Sequence, residues 1–180
     1  FEALKKLSDK YDIFYSRKFV GDGNGKRPEY EIDFIIAKPC KSIVCIEVKG
    51  GIINYDGVSG QWSQGARKMS KGPDTQASSA SHSLLNSYRE TISKCPISWG
   101  VMFTDCQIQD YRSMPTSLNE AQVIDSLKML HLDSAVESLF EFAESQYEHL
   151  TGIRNWEYEK FKKTLLRGIG FVQLMSTKIK

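Results

Sequence analysis

The sequence predicts an α/β domain in which a mixed central sheet is flanked by helices. Three observations carry that expectation. Strand-like runs arrive together between Tyr11 and Lys49, an apolar stripe at helical spacing follows from Ala77 to Ile92, and a continuously apolar run then leads from Ile97 to Thr104 toward a second long helical pattern. Strands that come first in a group and then alternate with helices bury their apolar faces best in that layered arrangement. At 180 residues, 41% hydrophobic and 26% charged, the chain has the size and composition of a domain with one core.

Each element has its own signal. Phe1, Leu4 and Leu7 sit at helical spacing and predict an opening helix that ends near Asp9 or Lys10. Tyr11 to Val20 reads as a strand, closed by the turn cluster Gly21-Asp22-Gly23-Asn24-Gly25. Tyr30 to Ala37 is the next strand, stopped by Lys38-Pro39, and Ser42 to Lys49 is the third. After Gly50-Gly51 comes a short extended piece, Ile52 to Tyr55, and then an irregular basic segment from Asp56 to Gly72. Pro73-Asp74 marks a helix entry, with a helix to about Ser93 whose stripe is Ala77, Ala80, Leu84, Leu85, Tyr88 and Ile92. Ile97 to Thr104 is apolar throughout, as a central strand is. Ala121 to Ile124 adds a short edge strand. Leu132, Ala135, Val136, Leu139, Phe140 and Ala143 form the stripe of the second long helix, and Trp156, Phe161, Leu165 and Leu166 suggest a third. The domain is expected to span residues 1–150, with 151–180 as a basic helical extension leading toward a further domain.

The net charge of +2 does not by itself call for a polyanionic partner, but its distribution is uneven. Arg67, Lys68 and Lys71 stand in a stretch without acids, residues 118–150 are acidic, and the tail is basic again. One polyanion-facing side and an ordinary solvated surface both fit this pattern. No apolar run is long enough to span a bilayer and no signal peptide opens the chain, so an intracellular, cytoplasmic protein without a membrane partner is expected. Cys40, Cys45, Cys95 and Cys106 form no CxxC pair, which argues for reduced thiols and against a zinc site.

The chemistry lies in two neighbouring strands. Alternation puts Ile32, Phe34 and Ile36 on one face and Val44, Ile46 and Val48 on the corresponding face of the next strand. On the reverse side stand Glu31 and Asp33, and Glu47 and Lys49. The short link from Lys38 to Lys41 makes the strands hairpin neighbours, so two carboxylates and an ammonium gather on one patch. Such a patch suits a hard divalent cation, Mg²⁺ or Mn²⁺, which takes one or two carboxylates, waters and substrate phosphate. The plain alternative is an outer face of solvated charges joined by weak salt bridges. Against it, strands covered by helices on both sides leave little exposed face, and buried charges need a partner or a metal. Gln76, in line with Ala80, Leu84 and Tyr88, is a polar group at the head of a buried stripe that needs polar company.

At these residues the chain resembles the PD-(D/E)XK nucleases, and within them the nuclease-related domain called NERD. The motif reads Glu31-Ile-Asp33, then Ile46-Glu-Val-Lys-Gly-Gly51, Trp62 in the following loop, and Pro73-Asp-Thr-Gln76, covering roughly residues 1 to 105. The departure is that no proline precedes Asp33. The resemblance implies a restriction-endonuclease-like core in the order α-β-β-β-α-β. It implies Asp33, Glu47 and the Val48 carbonyl as metal ligands, Lys49 as the catalytic lysine and Gln76 as a residue that positions water or phosphate. Glu2 is either a further metal ligand from the first helix or a surface partner of Lys6 one turn on. A DNA nuclease follows, as part of a larger DNA-processing or defence protein linked to a helicase. The alternative is a catalytically silent module that binds nucleic acid or protein on the same fold.

Arg67, Lys68 and Lys71, and less directly Arg17 and Lys18, are candidates for phosphate contacts on DNA. A homo-oligomer is left open. Trp62 reads equally as a packing anchor or a stacking platform. The Gly21–Lys26 cluster lacks the Ser or Thr that a phosphate-binding GxxxxGK[ST] loop requires.

Overall fold

The computed structural model describes residues 2–19 and 30–167. It is an α/β fold built on a five-stranded mixed sheet in the order β1-β2-β3-β7-β8. Strands β1 (Asp12–Phe19), β2 (Tyr30–Lys38) and β3 (Ser42–Lys49) pair antiparallel. β7 (Ile97–Phe103) and β8 (Val123–Ile124) then continue the sheet parallel to β3. A separate three-stranded antiparallel wing consists of β4 (Ile53–Asp56), β5 (Gln61–Gln64) and β6 (Arg67–Lys68). The helices are α1 (Glu2–Lys5), α2 (Pro73–Ser87), α3 (Arg89–Ile92), α4 (Leu132–Gln146) and α5 (Asn155–Arg167).

Both faces of the sheet are covered. Ile36, Val44, Ile46, Met102 and Ile124 meet the stripe Leu132, Val136, Leu139, Phe140 and Ala143 of α4. On the other face Ile35, Ala37, Ile43 and Cys45 pack with Ala80 and Leu84 of α2 and Tyr158, Phe161 and Leu165 of α5. Close approach of α4 depends on Gly100, where a Cβ would stand 2.8 Å from Leu139 Cδ2.

Several expectations need correction. The opening helix is a single turn, Glu2–Lys5, because from Leu7 onward the backbone closes bonds three residues back, such as Leu7 N–H to Leu4 C=O at 3.0 Å. The segment expected to be irregular between Asp56 and Gly72 contains β5 and β6. The Gln61 side-chain amide clasps that hairpin by donating to the carbonyls of Trp62 and Met69, at 2.7 and 2.8 Å. The helix expected to reach Ser93 breaks at Tyr88, whose backbone leaves helical geometry and whose ring meets Phe161 edge-on at 5.3 Å. At the edge strand, Glu120–Gln122 forms a capped turn of 3-10 helix, so only Val123–Ile124 remains extended. Ile32 does not share a face with Phe34 and Ile36. It packs with the α2 side of the core, beyond Phe34, where the β2–β3 ladder ends.

Residues 155–167 are helical, and Tyr158, Phe161 and Leu165 belong to the same core as α2. That helix is a layer of the domain. Ile153 N–H further ties the segment before it to Cys40 C=O at 2.9 Å. No helix among the described residues is long and apolar enough to cross a membrane.

Candidate active site

The local sequence explains why the strands part where the charges begin. β2 and β3 pair regularly from Lys38–Ser42 to Phe34–Ile46, and one further step would set Asp33 opposite Glu47. There the ladder stops, and Asp33 Oδ2 instead accepts the Val48 N–H at 2.7 Å. A carboxylate thus takes the place of a strand carbonyl. Because a residue's N–H and C=O leave an extended strand on the same edge, the Val48 carbonyl also faces the β2 side. β3 remains anchored on its other edge by β7, with Glu47 beside Val101 and Lys49 beside Phe103.

The parting opens a cleft of about 430 Å³ lined by Glu31, Asp33, Glu47, Val48, Lys49, Lys71 and Gln76. Lys49 Nζ donates to Glu47 Oε1 at 2.5 Å and to Gln76 Oε1 at 3.0 Å. Gln76 in turn donates from Nε2 to the Lys71 carbonyl at 2.7 Å. Since a carbonyl can only accept, that second bond fixes the amide with its oxygen toward the lysine. α2 therefore presents Gln76 as an oriented acceptor that aims the ammonium into the cleft.

The electrostatics are those of acids held away from water. Burial pushes the Asp33 carboxyl above its ordinary range, against the Val48 N–H and the Lys49 charge. Burial also pushes Glu47 up; Lys49 opposes this and the neighbouring Asp33 adds to it. Glu47 is only 7% exposed. Two crowded, desolvated carboxyls gain most from a nearby cation.

The donor chemistry suits a hard ion. Asp33 and Glu47 supply carboxylate oxygen, the Val48 carbonyl lies on the same edge, and the cleft has room for waters and a phosphate. Among the described residues no three His, Cys, Asp or Glu side chains form a compact metal cage. Two carboxylates at an open cleft match the ligands that Mg²⁺ or Mn²⁺ takes from protein when waters and a phosphate complete its shell.

The other expected site residues divide. Lys71 lines the cleft itself, and Arg67 and Lys68 line an adjoining groove with Lys49, Lys71 and Gln76. Glu2 is not brought to the cleft: it is exposed on α1 and pairs with Lys5 at 2.7 Å, not with Lys6. The side chains of Arg17 and Lys18 and the Gly21–Lys26 cluster lie outside the described residues. Trp62 is a packing anchor, 5% exposed.

Two features were not assigned from sequence. Glu31 lines the cleft two residues before Asp33, a spacing that already placed both on one strand face. Asp105 accepts the Gly51 N–H at 2.6 Å and holds the turn that follows Lys49. The two are 54 residues apart, so no local pattern could pair them.

No curated protein and no solved structure matches the chain. A family model does, described as the nuclease-related domain, NERD, and it covers residues 1–104, from α1 through the end of β7. That span contains Asp33, Glu47, Lys49 and Gln76 in a single cleft, and the chain belongs to the NERD family.

Proposed function

We propose that the chain is a metal-dependent deoxyribonuclease that hydrolyses phosphodiester bonds. The observation that carries this reading is the convergence of Asp33, Glu47, Lys49 and Gln76 on one cleft at the ends of β2, β3 and α2. Asp33 and Glu47, with the Val48 carbonyl, would hold Mg²⁺ or Mn²⁺. When bound, the ion polarises the scissile phosphate and makes its water more acidic. Lys49, steered by Glu47 and Gln76, puts a fixed positive charge where negative charge grows as water adds to phosphorus. The bond from phosphorus to the 3′ oxygen breaks, leaving a 5′-phosphate and a 3′-hydroxyl. Arg67, Lys68 and Lys71 neutralise flanking phosphates without reading sequence.

The same proposal makes the domain the nuclease part of a cytoplasmic DNA-processing or defence protein that works with a helicase. Family resemblance alone supports that wider role.

The test is cleavage of plasmid and oligonucleotide DNA with Mg²⁺, with EDTA, and by Lys49→Ala. Cleavage should need the ion and fall roughly 10²-fold or more in the variant. DNA binding with no cleavage by the wild-type chain under any divalent ion would instead identify a binding module. Cleavage that persists in EDTA and in Lys49→Ala would remove the site assigned here.

A further inference from the structure

We infer that a second pocket, between the β4–β6 wing and the loop after β7, receives one unstacked nucleobase of the strand being cut. The inference rests on the nucleic-acid reading above and refines its substrate toward unpaired strands.

The pocket measures about 260 Å³. That is below the roughly 300–1,000 Å³ of sites for drug-sized ligands and suits one planar ring system. Its walls are aromatic. Trp62 lies 4.9 Å from Tyr55 and 6.0 Å from Phe103, centroid to centroid. Trp62 and Phe103 are buried and form the floor, whereas Tyr55 is half-buried and keeps ring surface for a base. At the rim stand Asn54, Gln107 and Gln109, all exposed. Among the described residues these three carboxamides make no hydrogen bond to protein. Each offers a donor beside an acceptor, the pairing that reads base edges. Asp110, also at the rim, is gripped by Arg112 Nε and Nη2 at 3.0 and 3.1 Å, which offsets its charge toward phosphate.

Position completes the case. Phe103 is the register partner of Lys49, so the pocket begins one strand over, about 4.8 Å, from the lysine. Trp62, in the wall of the pocket, abuts Gly72, where the helix that carries Gln76 begins; a Cβ on that glycine would lie 2.4 Å from Trp62 Cδ1. A phosphate at Lys49 thereby leaves a neighbouring base within reach of Tyr55. A base in a duplex must first leave its stack, so strands already unpaired enter at lower cost.

The experiment measures binding in EDTA, where cleavage does not intervene. Fluorescence anisotropy compares a short oligothymidylate with an abasic strand of the same length. The wild-type chain should prefer the base-bearing strand roughly tenfold. Tyr55→Phe should keep that preference. Tyr55→Ala and the double variant Gln107→Ala/Gln109→Ala should reduce it while affinity for the abasic strand is unchanged. The double variant alters only exposed side chains, so its fold is not at stake. Equal binding of both strands by the wild type, or a preference untouched in every variant, overturns the base pocket. If Mg²⁺-dependent cleavage occurs beside such equal binding, only the pocket falls. If neither strand binds, in EDTA or with Ca²⁺ in its place, and Mg²⁺ supports no cleavage, the nucleic-acid reading falls with it.

Discussion

At the scale of residues, the cleft combines opposed demands. Asp33 supports the backbone by accepting the Val48 N–H, yet burial disfavours its charge, and Glu47 beside it suffers the same penalty. An acid whose folded pKa is raised contributes stability fully below the ordinary carboxylate range, about 4, and loses it as pH climbs through the raised value. Metal-free protein should therefore lose stability at this site as pH rises from about 4 through the raised values of the two carboxyls. Asp33→Asn keeps an oxygen for the Val48 N–H and removes one charge. At a pH above those values, without metal, it should melt higher than wild type, each kcal/mol regained appearing as about 2–4 °C. A lower melting temperature than wild type at that pH would contradict the desolvation argument. The opposite sign holds at Glu137, whose pKa is lowered by the Lys38 hydrogen bond and then by Tyr11. Its support is present above the ordinary range and fades as pH falls through the lowered value, which is why the comparison must be made between variant and wild type.

At the scale of elements, α2 is set by the wing. Its first turn has no side-chain cap, and Gly72 at its N-cap fits against Trp62 and Asp74. In Gly72→Ala the new Cβ would meet Trp62 Cδ1 and Asp74 Oδ1 at 2.4 Å, so the helix start must move and take Gln76 with it. Such overpacking costs about 1–3 kcal/mol. Displacing the acceptor that aims Lys49 should lower Mg²⁺-dependent cleavage at least about tenfold. Thermal melts and cleavage rates check both, and a variant as stable and active as wild type would show that the wing does not position the helix. The main strands, α2 and α4 were legible in the sequence because their apolar periods are strong. The wing was not: β5 and β6 are short and polar, and Gln61 holds them through contacts no period announces. Nor was the break at Tyr88, since its ring still packs on the core and so keeps the helical spacing.

At the scale of the whole molecule, residues far apart in sequence become one ligand set only when the sheet is complete. The family match ends at Thr104, yet α4 and α5 close the two faces of the sheet from beyond it. Strand alternation and the hairpin link made Asp33, Glu47 and Lys49 legible as neighbours. They did not reveal that the ladder ends at Asp33, because that depends on a side chain replacing a backbone partner. Nor could they place Glu2, which tertiary packing leaves on an exposed turn with Lys5. If Asp33 and Glu47 jointly grip a divalent cation, calorimetric titration of the metal-free chain with Mn²⁺ will register it. The wild-type chain should bind saturably, at a site that Asp33→Asn and Glu47→Gln each abolish while both variants stay folded. Mn²⁺ binding of unchanged affinity in both variants, or none in the wild type, would contradict it.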